Sequence, residues 1–194
     1  MSRDGAIPGF ALFATAIGSC GIAWAGERVL ATQLPEAGDP ATKARLCARA
    51  DGATEQAPPV AIQHAIAGIT ELLAGSRVDL AFIACDFTAL EPFSAEVYAL
   101  TRKIPPGEVR TYGEIAAALG NKQWAQAVGQ ALGRNPFPIV VPCHRVMGAK
   151  GRLTGFSANG GTATKLRMLA IEGAEPGEAP ALFGSLPLAM KPAR

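Results

Sequence analysis

The 194-residue sequence predicts an α/β module followed by a mainly α domain. Three observations carry this expectation. Short runs of β-forming residues crowd the N-terminus, an amphipathic helical stripe follows them, and two short helices joined by a tight turn lie between 111 and 133 in a helix-turn-helix pattern. The length suits one large domain or two small ones. The change of character at "DFTALEP" sets the expected division as 1–88, 89–176 and a Pro/Gly-rich tail, 177–194.

In chain order, "GFALFAT", "CGIAWAG" and "RVLATQL" are strand candidates linked by "AIGS" and "GE" turn chemistry. "DPATKARLCARA" opens with Asp39 and Pro40 in cap and first-turn positions, which starts a helix. "PPVAIQHAIAGITELLAG" places Ile62, Ala65, Ile66, Ile69, Leu72 and Leu73 on one stripe and stops at Gly75. "DLAFIAC", 79–85, reads as one more strand, and "PFSAEVYALTRKI" as a helix. "TYGEIAAALG" has Thr111 as N-cap and Glu114 three residues on, a capping box closed by Gly120. "QWAQAVGQALG" is the second helix of the pair. Its Ala125, Ala127, Gly129 and Ala131 are read as one surface nearly bare of side chains. Such a surface suits close packing within the protein or entry into a narrow groove, and the helices alone do not decide between them.

Composition narrows the classes. The chain is 49% hydrophobic and 18% charged, which argues against disorder, and no unbroken apolar run is long enough for a membrane span. The N-terminal stretch reads as a β-hairpin rather than a signal peptide. Four scattered cysteines, Cys20, Cys47, Cys85 and Cys143, contain no CxxC pair, which favours free thiols in the cytoplasm. Cys20, Cys47 and Cys85 with His64 match no common zinc spacing, so no metal is expected and His64 reads as structural. Net charge is +2, but residues 1–100 carry −5 and residues 101–172 carry +7. The basic surplus of the second half suits a polyanionic partner.

That half also holds the most reactive-looking stretch, "IVVPCHRVMG" at 139–148. A β-branched run leads to Pro142, and Cys143, His144 and Arg145 then arrive together. The expectation is a thiol at a strand end in electropositive company. A free thiol, with pKa near 8.5, is only about 3% thiolate at pH 7, so nucleophilic use needs a lowered pKa or a base within reach. His144 is the base candidate. Neighbours on an extended chain point apart, so a bridging water is expected unless the chain turns. Glu172, near the end of "TATKLRMLAIEG", is the acid that would orient the imidazole. The Gly-rich loop "GRLTGFSANGG" could cradle phosphate, rim a pocket or simply turn.

Taken together, "IPPGEVRTYGEIAAALG", "AVGQALGRNPFPIVVPCHRV" and "GFSANGGTATKLRMLAIEG" resemble the methylated-DNA–protein-cysteine methyltransferases (O6-alkylguanine-DNA alkyltransferases) over residues 90–174. The resemblance implies a ribonuclease H-like N-terminal module and a winged-helix-like alkyltransferase domain. It implies stoichiometric, cofactor-free transfer of an alkyl group from O6-alkylguanine in duplex DNA, with O4-alkylthymine a second candidate, to Cys143. The base is swung out through the minor groove, and the protein acts as a monomer. His144 is implied as the water-linked base, Glu172 as its partner, Tyr112 as the proton donor to departing guanine, and Arg145 as a structural arginine. The base pocket is assigned to Val146, Ser157, Phe156, Leu132 and Asn135, with Asn135 also holding the recognition helix to the cysteine segment. DNA contact is assigned to Gln126, Ala125, Ala127, Gly129, Thr111 and Arg134.

Two departures stand out. Gln126 occupies the position where the family usually has an arginine that fills the gap left by the extruded base. "TALEPFSAEVY" replaces the family's usual "GT-PFQ" stretch. Two rival readings remain: a non-catalytic alkyltransferase-like lesion binder, and a cysteine hydrolase using the same Cys–His–acid set.

Overall fold

The computed structural model describes residues 7–174, so the reading of 177–194 as a loose tail lies outside the described residues. The fold is mixed α/β, with six α-helices, a four-stranded sheet and a two-stranded one among the described residues. The three strand candidates form: β1 (Gly9–Thr15), β2 (Gly18–Ala25) and β3 (Arg28–Gln33) make an antiparallel meander, and β4 (Thr54–Glu55) joins β1 in parallel, giving the order β3-β2-β1-β4. Thr15 donates to the Gly18 carbonyl at 2.6 Å and closes the first turn. Gly9 has a packing reason: a Cβ there would sit 2.7 Å from the Trp24 ring. β3 also reaches outside its sheet. Its Thr32 N–H donates to the Pro136 carbonyl at 2.9 Å and its hydroxyl to the Pro138 carbonyl at 2.6 Å, fixing the strand to the segment before Cys143.

α1 (Asp39–Cys47) follows Gly38, which is the N-cap in place of Asp39, and Asp39 instead supplies an acidic side chain to the first turn. α2 (Val60–Leu73) buries Ile62, Ala65, Ile69, Leu72 and Leu73, as the stripe requires. Gly75, at φ +98°, adopts the left-handed conformation that ends helices.

Residues 79–85 are not the expected strand. Asp79 accepts a hydrogen bond from the Ala81 N–H, and Arg102 Nη2 collects the carbonyls of Leu80, Ala81 and Ile83 at 3.3, 3.1 and 2.8 Å. Those side chains satisfy backbone groups that a ladder would otherwise pair. Only Cys85 reaches the sheet, through an isolated bridge to Val29.

α3 (Pro92–Thr101) fixes the helix pair through the buried Tyr98, whose hydroxyl donates to the Ala131 carbonyl at 2.8 Å. The short β5 (Arg110–Thr111) runs directly into α4 (Tyr112–Ala118). The capping box is present. The Glu114 N–H donates to Thr111 Oγ1 at 3.1 Å, while the Glu114 carboxylate accepts from the Thr111 N–H at 2.6 Å. A 3-10 turn at 122–124 precedes α5 (Ala125–Gly133). β6 (Val146–Met147) pairs in parallel with β5, and α6 (Thr162–Ile171) closes the described chain. One continuous cluster of buried side chains spans both halves, taking in Ile22, Trp24 and Leu72 with Val128, Phe137 and Val146.

Candidate active site

The site is built on a turn rather than a strand end. The residues "IVV" do not extend. Ile139 sits at φ +78°, a conformation a β-branched residue adopts at a cost of about 1–3 kcal/mol. The surroundings compensate: the Val141 N–H donates to the Phe137 carbonyl at 2.7 Å. Asn135, buried at the end of α5, spans the loop by donating to the Val141 carbonyl and accepting from the Phe137 N–H, both at 2.9 Å. A 3-10 turn then carries Cys143–Arg145. Because the chain turns, His144 and Arg145 both drop into the interior while Cys143 keeps a small exposed face.

Beneath the cysteine lies a buried cluster of three polar side chains. Glu172, which caps α6, accepts from His144 Nε2 at 2.9 Å. The same carboxylate receives a two-pronged grip from Arg145, Nε and Nη2 each at 2.8 Å. Arg145 also donates from Nη1 to the Ile104 carbonyl at 2.6 Å. Burial alone would raise the Glu172 pKa, but the hydrogen bonds from His144 and Arg145 and the Arg145 charge hold it down at about 2. An ionised carboxylate can only accept, so Nε2 of His144 must carry the hydrogen. Burial, the largest effect on the imidazole, pushes its pKa down and keeps it neutral despite Glu172. Nδ1 is then the bare lone pair, and it has no hydrogen-bond partner among the described residues. This is the tautomer a general base requires.

The thiol itself corrects a sequence expectation. Burial pushes the Cys143 pKa up, against opposing contributions from the Asn135 side chain and the Lys165 charge. The resting sulfur is therefore protonated, and any use of it as a nucleophile requires a base to take its proton. Lys165 is the electropositive neighbour, and the sequence reading missed it. Fully buried, it donates from Nζ to the Val146 carbonyl at 2.5 Å and lies 6.0 Å from the centre of the Tyr112 ring. Burial lowers its pKa to about 8, against the raising effect of Cys143. A signal was available: Lys165, Met168, Leu169 and Glu172 share helical spacing, which places the lysine on the buried stripe.

Cys143 lines a narrow cleft together with Leu132, Asn135, Phe156 and Ser157 from its own half, and Arg45 and Arg49 from the other. Val146 does not reach this cleft: it is fully buried, its carbonyl is engaged by Lys165, and it pairs with Arg110. Tyr112 stands to one side, its hydroxyl 2.9 Å from that of Thr154. Burial raises its pKa, against the Thr154 hydrogen bond, so the phenol stays neutral. Arg45 was missed and had no sequence signal, since it lies on α1, far away in the chain. Its Nη2 donates to the Ser157 carbonyl at 3.0 Å and ties the Gly-rich loop to the first half.

The bare-surface reading of α5 also needs correction, because residues two apart do not share a helical face. Ala131 is buried, Ala125 packs against the core, and a Cβ on Gly129 would meet the Tyr112 ring at 3.7 Å. The small residues thus serve packing. The outward face carries Gln126, Gln130 and Gly133, followed by the exposed Arg134. Thr111 is committed to its cap, and Trp124 packs edge-on against Phe93 with ring centres 5.8 Å apart. Among the described residues no group of three or more His, Cys, Asp or Glu is placed to hold a metal, and no helix is long and apolar enough to cross a membrane.

Fold and site define a class: a mixed α/β protein with a helix-turn-helix-like pair, whose cleft presents one cysteine over a buried histidine–glutamate–arginine cluster. Residues 92–174 match the family model described as the DNA binding domain of 6-O-methylguanine DNA methyltransferase. A methylated-DNA–protein-cysteine methyltransferase of Methanosarcina acetivorans is 49% identical over 81 residues, 42% of this chain and 51% of that one. The chain spans about half the length of the first curated relatives it matches. Among solved structures, Mycobacterium tuberculosis OGT in complex with DNA is 31% identical, with a TM-score of 0.66 over 84% of this chain and 92% of that one. The O6-methylguanine-DNA methyltransferase of Pyrococcus kodakaraensis is 28% identical, with a TM-score of 0.64 over 86% and 99%. The chain belongs to the methylated-DNA–protein-cysteine methyltransferase family.

Proposed function

We propose that this protein repairs O6-alkylguanine in duplex DNA by moving the alkyl group irreversibly to Cys143. The observation that carries the proposal is the thiol at the cleft wall beside a histidine whose tautomer leaves Nδ1 free. The thiol proton passes to His144, through one water, as sulfur attacks the alkyl carbon. The carbon–O6 bond breaks, and guanine leaves with a proton for which the neutral Tyr112 hydroxyl is the donor. The imidazolium proton then restores the phenol. In net balance the thiol hydrogen ends on guanine and the alkyl group on sulfur. Water finds no acyl carbon in a thioether, so the protein is consumed. No cofactor enters this balance.

In this reading the division at 88/89 separates a ribonuclease H-like module from a winged-helix-like domain. α4 and α5 enter the minor groove of a duplex, and the protein works as a monomer in the cytoplasm, at the nucleoid. Leu132, Asn135, Phe156 and Ser157 receive the extruded base, and Val146 supports them from behind. Thr111, Ala125, Ala127, Gly129 and Arg134 shape or touch the DNA-facing side. Gln126 is the exposed side chain placed to occupy the gap in the stack. It can hydrogen-bond the orphaned cytosine but lacks a guanidinium plane and charge. Extrusion costs a few kcal/mol. Gln126→Arg should therefore raise duplex affinity and repair rate by about fivefold, the size of about 1 kcal/mol from one added exposed charge; a variant no faster than wild type counts against this role.

The reaction is tested with an excess of O6-methylguanine duplex. The expected result is a single methylene mass increment on the Cys143 peptide and no second turnover. Multiple turnovers would support the hydrolase, and binding without adduct the lesion binder.

A further inference from the structure

Two arginines one helical turn apart, Arg45 on α1 and Arg49 just past its end, both stand at the wall of the Cys143 cleft. Their situations differ. Arg45 is committed: Nη1 lies 3.1 Å from the Glu36 carboxylate and Nη2 donates to the Ser157 carbonyl. Arg49 has one long hydrogen bond, Nη1 to the Thr32 carbonyl at 3.4 Å, and forms no ion pair among the described residues. Burial is the largest influence on its pKa and lowers it, Arg45 lowers it further while Glu36 raises it, and the Cys143 sulfur is near enough to be felt as well. A guanidinium has five N–H donors and stays charged in proteins, so a cation with uncommitted donors faces the space beside the nucleophile.

An O6 substituent longer than methyl must run along the walls of this cleft. We propose that Arg49 makes the protein select O6-alkyl groups that end in an anion, a carboxylate foremost, over neutral groups of the same shape. This rests on the alkyl-transfer reading above and narrows its substrate class. A carboxylate next to the electrophilic carbon repels an incoming thiolate, and a guanidinium at the wall offsets that repulsion while pairing with both oxygens. The chemistry is otherwise unchanged. Sulfur bonds to the methylene carbon, the bond to O6 breaks, guanine takes a proton, and the carboxylate remains on the new thioether beside Arg49. A DNA phosphate could meet the same cation. Arg49 shares its cleft with the sulfur, Asn135 and Phe156, which favours the substituent.

The test uses one duplex carrying O6-carboxymethylguanine, O6-carbamoylmethylguanine or O6-methylguanine, and single-turnover transfer by the full chain. The carboxylate-to-amide rate ratio should fall about fivefold in Arg49→Gln and largely return in Arg49→Lys, the size expected of one solvent-exposed ion pair. In the wild type alone, that ratio should fall as salt rises, because an exposed pair is screened. A ratio unchanged by Arg49→Gln, or flat in salt, overturns the proposal. So does an equal loss on all three lesions with weaker binding of undamaged duplex, which would assign Arg49 to a phosphate. If the wild type transfers none of the three groups, the alkyl-transfer reading itself has failed.

Discussion

Cys143→Ala will bind an O6-alkylguanine duplex about as tightly as the wild type and transfer nothing. The side chain is small and sits at a cleft wall, so its removal leaves Asn135 bridging the turn and the His144–Glu172–Arg145 cluster untouched. No other thiol is placed to take over. Burial drives Cys20 and Cys85 up to about 11, and Cys47 packs in a separate core cluster. Cys143→Ser should fail as completely, because a hydroxyl is far less acidic than a thiol and the neutral His144 is a weak base. Peptide mapping after reaction with alkyl-labelled duplex is the measurement, and label on any residue other than Cys143 defeats the assignment.

Glu172→Ala should be severely destabilising. It strips the buried Arg145 guanidinium of both carboxylate bonds and removes the partner that fixes the His144 tautomer. Breaking a buried ion pair from one side costs about 3–5 kcal/mol. For a chain of this size that corresponds to a melting temperature lower by roughly 10 °C. Transfer should fall along with it, since a freely rotating imidazole no longer presents Nδ1. The pH dependence has a defined sign. The folded pKa of Glu172, about 2, lies below the ordinary glutamate value of about 4.3, so its contribution is complete above the latter and is lost as pH falls through the former. Wild type should therefore lose stability on acidification in this window more steeply than Glu172→Ala. Parallel acid melts that coincide for the two proteins would contradict the coupling.

Much of this was readable beforehand where a local pattern determines a local structure. The β-forming runs and turn residues of β1 to β3, the stripe of α2 and the Thr111–Glu114 cap each depend on neighbours within a few residues, and each formed. What escaped depends on partners far away in the chain. Residues 79–85 have strand composition, but Arg102 takes their carbonyls. The "IVV" run has the strongest β character in its region, but Asn135 and the Phe137 carbonyl fold it into a turn. At the site, residue types singled out Cys143, His144 and Glu172, and the fold puts Cys143 at the cleft with His144 and Glu172 hydrogen-bonded beneath it. The direction of the thiol pKa depends on burial, which composition does not reveal. Lys165 was hidden by the habit of placing every lysine outside, and Arg45 and Arg49 by their position in the other half of the chain.

The interior described above runs without a break from the meander through the helix pair to the wall behind the cysteine. That shared cluster holds most of the buried apolar side chains of both halves, with only two smaller clusters beside it among the described residues, so unfolding should be one all-or-none event. A molecule made this way has no half-melted resting place. Whatever loosens the strands around Trp24 disarms the sulfur too.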